Sequence, residues 1–401
     1  MAIDPQATLP YVTRMSDDKI FDWLLADAPT LPSCRHVLEQ LVTRLCDGGM
    51  PLDRATFSVG VLHPELLAKA YIWERGAASV TETDVHHGIQ RTDQNQGSPY
   101  RLLNEGEEYV RRRLPDPKSE AEFPLLEELR DDGGTDYIAI ALPRSDGNVY
   151  RTSWSTQAEG GFSDADIDRL LALRPALAVV IELQSRAEMT KSVLDLYLGR
   201  EAGRRVYAGD IQRGDGTTIR SVLFMSDLRG FTSLSDRIPL DFLIAVLNDY
   251  FEAVSGPIHA HGGEMLKYIG DAVLGIFRIG SDEEMSAVCD AALGAAELAA
   301  ENMKILNRRR GRENKPPLDF GIALHVGDTM YGNVGAHDRL DFTVIGPAVN
   351  LCARLEALAG RLSEQVICSA EFAARTSVPM TSVGQHELKN VDNPVGAFVP
   401  A

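Results

Sequence analysis

The chain has 401 residues, a formal net charge of −18 and 44% hydrophobic residues. That length accommodates two domains of ordinary size, and that composition belongs to packed globular protein rather than to a disordered chain. The acidic balance argues against a nucleic-acid partner, whose phosphates call for Lys and Arg. No apolar run approaches the roughly 20 residues that a membrane-spanning helix needs, so no integral membrane segment is expected. The start, Met1-Ala-Ile-Asp-Pro-Gln6, lacks the basic flank and apolar block of a secretory signal, and a cytoplasmic location is expected. Five scattered cysteines (Cys34, Cys46, Cys289, Cys352 and Cys368) show no metal-ligand spacing and predict reduced thiols that fill the core.

In chain order, Phe21–Leu25 and Val37–Leu45 read as helices, and Ala55–Leu62 and Asp136–Leu142 as strands. Gly160-Gly-Phe-Ser163 leads into an amphipathic helix from about Asp164, with Ser163 as N-cap and Asp164 and Asp166 favourable in the first turn. A further helical stretch, Val193–Leu198 followed by Gly199–Val206, ends in the turn-rich run Gly209–Gly216. These features predict an N-terminal domain at 1–183, a helical linker at 184–216 and a second domain at 217–401.

The second domain alternates strands and helices. Val222-Leu-Phe-Met225 is a continuous apolar run that suits a strand covered on both faces. Leu240, Leu243, Ile244, Leu247, Tyr250, Phe251 and Val254 recur at helical spacing, and Gly262-Gly263 closes that helix. Met265–Ile269 and Ala272–Phe277 flank Gly270-Asp271 as a hairpin. A second helix runs through Met285, Val288, Cys289, Ala292, Ala295, Ala296 and Ala299, ending near the basic run Arg308–Arg312, read as a solvated helix end. Leu318–Val326 alternates as a half-buried strand, and Phe342–Ile345 leads through Gly346-Pro347 into a helix at Ala348–Ala359. The order βαββαβ predicts an α+β domain with a ferredoxin-like antiparallel sheet and its helices on one face.

Three stretches in this domain carry chemistry: Phe224-Met-Ser-Asp227-Leu-Arg-Gly230-Phe231-Thr232, Lys267-Tyr-Ile-Gly-Asp271, and Phe342-Thr343-Val-Ile-Gly-Pro-Ala-Val-Asn350-Leu-Cys-Ala-Arg354. Alone, Asp227 reads as a helix cap and Asp271 as a turn residue. On adjacent strands they become a carboxylate pair on rigid supports, which is what hard divalent ions require. Asn350 and Arg354, four apart, share one helix face. Together the three stretches resemble the catalytic domain of class III nucleotide cyclases, over about residues 217–399.

That resemblance implies that Asp227 and Asp271 bind two Mg²⁺ or Mn²⁺ ions per active site and that Gly230-Phe231-Thr232 cradles the triphosphate. Lys267 and Thr343 match the positions that select the purine. Guanylate cyclases usually carry Glu and Cys there, so Lys with Thr favours ATP, and the Thr type resembles the class IIIb subgroup, often stimulated by bicarbonate. Asp341, two residues earlier on the same strand face, is out of register with the family's usual Asp. Asn350 would position the ribose and Arg354 would meet charge on the α-phosphoryl group. Glu387-Leu-Lys389-Asn-Val391 resembles a late family motif whose lysine contacts phosphate, with Asn390 in place of Gly. The implied activity is adenylate cyclase, ATP to cyclic AMP and pyrophosphate, in a homodimer with composite sites. The alternatives are a guanylate cyclase and a catalytically silent nucleotide-binding signalling protein. The first half loosely resembles a GAF-type sensor domain for an unnamed small molecule, with the 184–216 helix as transducer.

Overall fold

The computed structural model describes residues 19–88, 98–114, 123–236 and 238–401; the start at Met1–Gln6 lies outside them. The chain divides into two compact units, Met1–Val193 and Leu194–Ala401. No helix among the described residues is long and apolar enough to cross a membrane.

The first unit contains helices α1 (Lys19–Ala26), α2 (Cys34–Asp47), α3 (Tyr100–Asn104) and α4 (Pro124–Asp131), with α5 (Asp164–Leu198) running to its end. Its strands are β1 (Arg54–Gly60), β2 (Leu66–Glu74), β3 (Thr81–His86), β4 (Tyr109–Arg113), β5 (Asp136–Pro143) and β6 (Val149–Thr156). They form one antiparallel sheet in the order β3-β2-β1-β6-β5-β4. The two-residue period of a strand sorts its side chains between two cores. Ala55, Phe57, Ile138 and Ile140 face α1, α2 and α5, whereas Tyr137, Ala139 and Ala141 face α3 and α4. The expected cap of α5 is present. Ser163 Oγ accepts from the Asp166 N–H at 3.2 Å, and the Asp166 carboxylate accepts from the Ser163 N–H at 2.9 Å.

One buried charge holds this sheet to the start of α5. Asp136 is 0% exposed and accepts hydrogen bonds from Arg111 Nη2 at 2.7 Å and from the N–H groups of Tyr137 and Phe162, each at 3.0 Å. A carboxylate withdrawn from water survives only with such partners.

The second unit begins with α6 (Arg200–Tyr207) and continues through β7 (Gly216–Leu228), α7 (Phe231–Ser235), α8 (Leu240–Ala260), β8 (Glu264–Ile269), β9 (Ala272–Arg278) and α9 (Met285–Arg312). It ends with β10 (Phe320–Gly335), β11 (Leu340–Ile345), α10 (Pro347–Leu362), β12 (Val366–Ser369), α11 (Ala370–Ala373), β13 (Met380–His386) and β14 (Val395–Pro400). The sheet runs β13-β14-β12-β10-β7-β9-β8, with β11 paired to β10. Its β7-α8-β8-β9-α9-β10 portion is the expected ferredoxin-like unit, and β12 alone joins β10 in parallel.

The two helices of that unit, α8 and α9, share one face as expected, and the later helix α10 covers the other. Val222 and Phe224 of β7 face α8 and α9, while Leu223 and Met225 face α10 and Ala202 of α6. A strand apolar at four consecutive positions requires a cover on each side, and the third helix supplies the second one. Leu240 and Ile244, which share their helical spacing with the buried Tyr250, are 75% and 64% exposed near the start of α8. In the basic run, Arg310 is buried, donating from Nε to the Pro316 carbonyl at 2.9 Å, so that run is not wholly solvated.

All three tryptophans, Trp23, Trp73 and Trp154, lie in the first unit, so tryptophan fluorescence reads that unit alone. Asp136→Ala leaves Arg111 without its buried partner and is expected to cost about 3–5 kcal/mol. Urea unfolding followed by tryptophan fluorescence checks this; an unchanged midpoint would remove Asp136 from its structural role.

Candidate active site

The site grows from the pairing of β7 with β10. Along that antiparallel ladder Asp227 stands opposite Gly321. Next to it, Ser226 Oγ bonds the Tyr250 hydroxyl at 2.7 Å and donates to the Gly321 carbonyl at 2.9 Å, which fixes the strand end against α8. The hairpin β8–β9 closes through Gly270-Asp271 between the paired Ile269 and Ala272. Gly270 takes φ = 65°, a left-handed turn that other residues resist.

The hairpin brings Asp271 within hydrogen-bonding reach of Asp227. Burial first, then Asp271, then the charge of Glu356 push the Asp227 carboxyl up to about 7. Its Oδ1 is buried with no hydrogen-bond partner. A carboxyl pair that costs this much to ionise, with an orphaned inward oxygen, fits a divalent cation, whose charge would restore the ionised form. The residues present therefore match the metal that the motifs imply. Among the described residues no cluster of three or more His, Cys, Asp or Glu side chains is arranged as a full ligand set; the protein's contribution is the pair.

Glu356 escaped the sequence reading. It lies one turn beyond the fully buried Cys352 on α10, hence towards the sheet, and this spacing was the signal that could have found it. A β-carbon on Gly321 would stand 2.7 Å from Glu356 Oε1, so the glycine makes the room that this carboxylate occupies. Burial pushes Glu356 up to about 7 as well, against the opposing pull of Arg229.

The remaining candidates lie on β8, β11, α10 and the loops beside them. Lys267 on β8 donates to and ion-pairs with Asp341 on β11. Thr343 shares that strand face; it is buried, and its Oγ1 has no partner. The strand pairing Gly332 with Thr343 and Val334 with Asp341 fixes this arrangement. Asn350 is exposed, and one turn on Arg354 reaches the Asn390 carbonyl from Nη1 at 3.5 Å. The neighbouring Lys389 is exposed, and Asn390 adopts φ = 57°. Asparagine tolerates that left-handed conformation, so the loop keeps the shape a glycine would give it. Gly230 caps the short helix α7 that carries Phe231 and Thr232, itself at φ = 70°. Cys352, expected to be packing only, is fully buried with Sγ against the Leu223 and Ala323 carbonyls at 3.6 and 3.5 Å.

Residues 217–396 match the family model of the adenylate and guanylate cyclase catalytic domain. An adenylate cyclase of Anabaena cylindrica is 32% identical over 174 residues, covering 42% of this chain and 33% of that protein. An uncharacterized protein of Mycobacterium tuberculosis is 30% identical over 227 residues, 56% of this chain and 40% of its own length. The chain thus spans roughly a third to two fifths of these curated relatives. Among solved structures, the adenylyl cyclase CyaB from P. aeruginosa aligns at 29% identity and a TM-score of 0.42, covering 46% of this chain and 94% of that one. The guanylyl cyclase Cya2 aligns at 26% identity and a TM-score of 0.41, covering 46% of this chain and 92% of that one.

The raised carboxyls predict a pH signature. A group whose folded pKa exceeds its unfolded value contributes stability that is full below the unfolded value, near 3.8 for Asp227, and is lost as pH rises through about 7. With chelator present, the urea midpoint of the second unit is expected to fall between about pH 4 and pH 7, and to fall less steeply in Asp227→Asn. Parallel profiles for the two proteins would contradict the assignment.

Proposed function

We propose that the chain is an adenylate cyclase, a reading supported by the match of residues 217–396 to the family model of the adenylate and guanylate cyclase catalytic domain. It would convert ATP to 3′,5′-cyclic AMP and pyrophosphate. The ribose 3′-hydroxyl would give up its proton to solvent, its oxygen would bond to the α-phosphorus, the bond from that phosphorus to the bridging oxygen would break, and pyrophosphate would leave with its electron pair. The observation that carries this reading is the buried carboxyl pair of Asp227 and Asp271 with its unpartnered Oδ1.

In this reading Asp227 and Asp271 hold two Mg²⁺ or Mn²⁺ ions. Bound divalent metal supplies acidification of the 3′-hydroxyl and neutralises triphosphate charge. The protein's own groups do the rest. Backbone N–H groups at Gly230, Phe231 and Thr232 meet phosphate oxygens, and Lys389 adds a point charge. Lys267 donates to the adenine N1 acceptor, oriented by Asp341, and the Thr343 hydroxyl bonds the exocyclic amine. Asn350 holds the ribose, and the Arg354 fork meets the charge that spreads over the α-phosphoryl oxygens.

By the same resemblance the active form would be a homodimer, each active site drawing the carboxyl pair from one copy and Asn350 and Arg354 from the other. The exposed apolar side chains Leu240, Phe242, Ile244, Ile269, Met330 and Ile345 support such a contact. A two-fold arrangement would build two equivalent sites. The first unit would then act as the regulatory, GAF-like part.

The test is cyclic nucleotide formation by the purified protein from ATP and from GTP with Mg²⁺ or Mn²⁺. Cyclic AMP from ATP is expected, abolished in Asp227→Ala and lowered on the order of a thousandfold in Arg354→Ala. Product from GTP alone would overturn the base assignment, and nucleotide binding without either product would favour a silent signalling protein. Mixing those two inactive variants should restore about a quarter of wild-type activity, since half the dimers are mixed and each carries one intact site. No restoration would overturn the composite site.

A further inference from the structure

Two strands carry the base-reading groups, β8 with Lys267 and β11 with Asp341 and Thr343, and one short helix touches both. In α6, Ala202 is fully buried in the same apolar cluster as Leu266, Tyr331 and Phe342, with Leu198 and Val206 packed against it. The Tyr331 hydroxyl donates to the carboxylate of Glu264, the first residue of β8, at 2.8 Å.

The link to β11 runs through Arg205. Its guanidinium carbon lies 5.1 Å from the centre of the Phe342 ring and 5.7 Å from that of Tyr331. Those rings meet edge to face at 4.7 Å, and Arg278 covers the Tyr331 ring at 4.2 Å. Arg205 is pinned by Asp210, donating from Nε at 2.6 Å. The Asp210 carbonyl in turn accepts from Asn333 Nδ2 at 3.0 Å, and Asn333 is the strand partner of Phe342. Phe342 stands between Asp341, which pairs with Lys267, and Thr343, so the arginine stack grips β11 at the position flanked by both.

We infer that Arg205 is a positioning residue for recognition of the nucleotide base. Pinned by Asp210 and stacked on Phe342, it sets the height of Asp341 and Thr343 against Lys267, while Ala202 packs the same helix against Leu266 of the strand that bears the lysine. This rests on the reading of Lys267 and Thr343 as the groups that meet the purine. Arg205 itself touches no substrate. Its stacking cation in a partly desolvated place shifts an equilibrium by roughly three- to tenfold, and its planarity matters to the stack as much as its charge. Because α6 follows α5 directly in the chain, a turn of α6 would reach the base-reading strands without any change at the metal carboxylates.

The test compares wild type, Arg205→Ala, Arg205→Lys and Asp210→Asn as full-length proteins. ATP and GTP kinetics are measured alongside calorimetric binding of 3′-deoxy-ATP, which lacks the attacking hydroxyl and cannot cyclise. Arg205→Ala is expected to raise KM for ATP and weaken 3′-deoxy-ATP binding about three- to tenfold, narrow the preference for ATP over GTP, and change kcat by less than about twofold. Arg205→Lys should fall between it and wild type. If Arg205→Ala loses its cooperative thermal transition, Asp210→Asn, which keeps the stacking cation but frees it, decides by the same readouts. Unchanged KM, binding and preference in a folded variant, or a fall in kcat alone, would overturn the inference. A wild type that neither turns over ATP nor binds 3′-deoxy-ATP would instead overturn the cyclase reading, and the inference with it.

Discussion

The antiparallel ladder between Gly216–Leu228 and Phe320–Gly335 is the constraint on which the second unit depends. Its register sets Asp227 opposite Gly321 at one end and Thr217 opposite Tyr331 towards the other. At the first end lie the carboxylates; at the second, β10 turns to pair with β11, where Thr343 and Asp341 sit. A slip of one residue would invert every side chain between the two faces of the sheet. It would carry Val222 and Phe224 out of one core and Leu223 and Met225 out of the other, so the apolar pattern of β7 enforces the placement of the polar residues at its ends. Packing supplies the precision that the chemistry uses.

Within that frame the carboxyl pair is a local cost. Asp227, Asp271 and Glu356 crowd carboxyls into a half-buried place, and Arg229 offsets the last of them. Arg229 is itself shared, donating from Nη1 to Asp319 at 3.3 Å and from Nη2 to the Glu364 carbonyl. Folding tolerates this because the surrounding sheet over-determines the backbone. A site strained in this way is primed to gain free energy from a cation, much as strain elsewhere in proteins marks where a ligand belongs.

How far the residues announced this arrangement differs between the two halves. In Lys267–Asp271 the two-residue turn, the flanking apolar strands and the carboxylate all point the same way, and the hairpin forms as read. The two-faced burial of β7 was legible in Val222–Met225, yet its consequence, a helix on each face, was not drawn. Leu240 and Ile244 kept helical spacing with the buried Tyr250 but face outward, since periodicity cannot distinguish a core stripe from a face awaiting a partner. Arg310 looked like one of several solvated arginines until the chain folded its head onto the Pro316 carbonyl. In the first unit β3 carries only exposed or half-exposed residues, and β2 interrupts its apolar positions with Lys69, so the alternation that marks a strand was too weak to read. Lys267 and Asp341, far apart in the chain, meet only because β8 and β11 approach one another, which no local pattern records.

The contact between Gly321 and Glu356 reaches beyond this molecule. A β-carbon at position 321 and the carboxylate of Glu356 compete for one volume, so a larger residue at 321 requires that carboxylate to move or to shorten. Across descendants of a common ancestor the two should therefore vary together: a larger residue on the strand accompanied by a shorter one on the helix. Such paired substitution would be a record of steric exclusion, written in the genealogy rather than in any single fold.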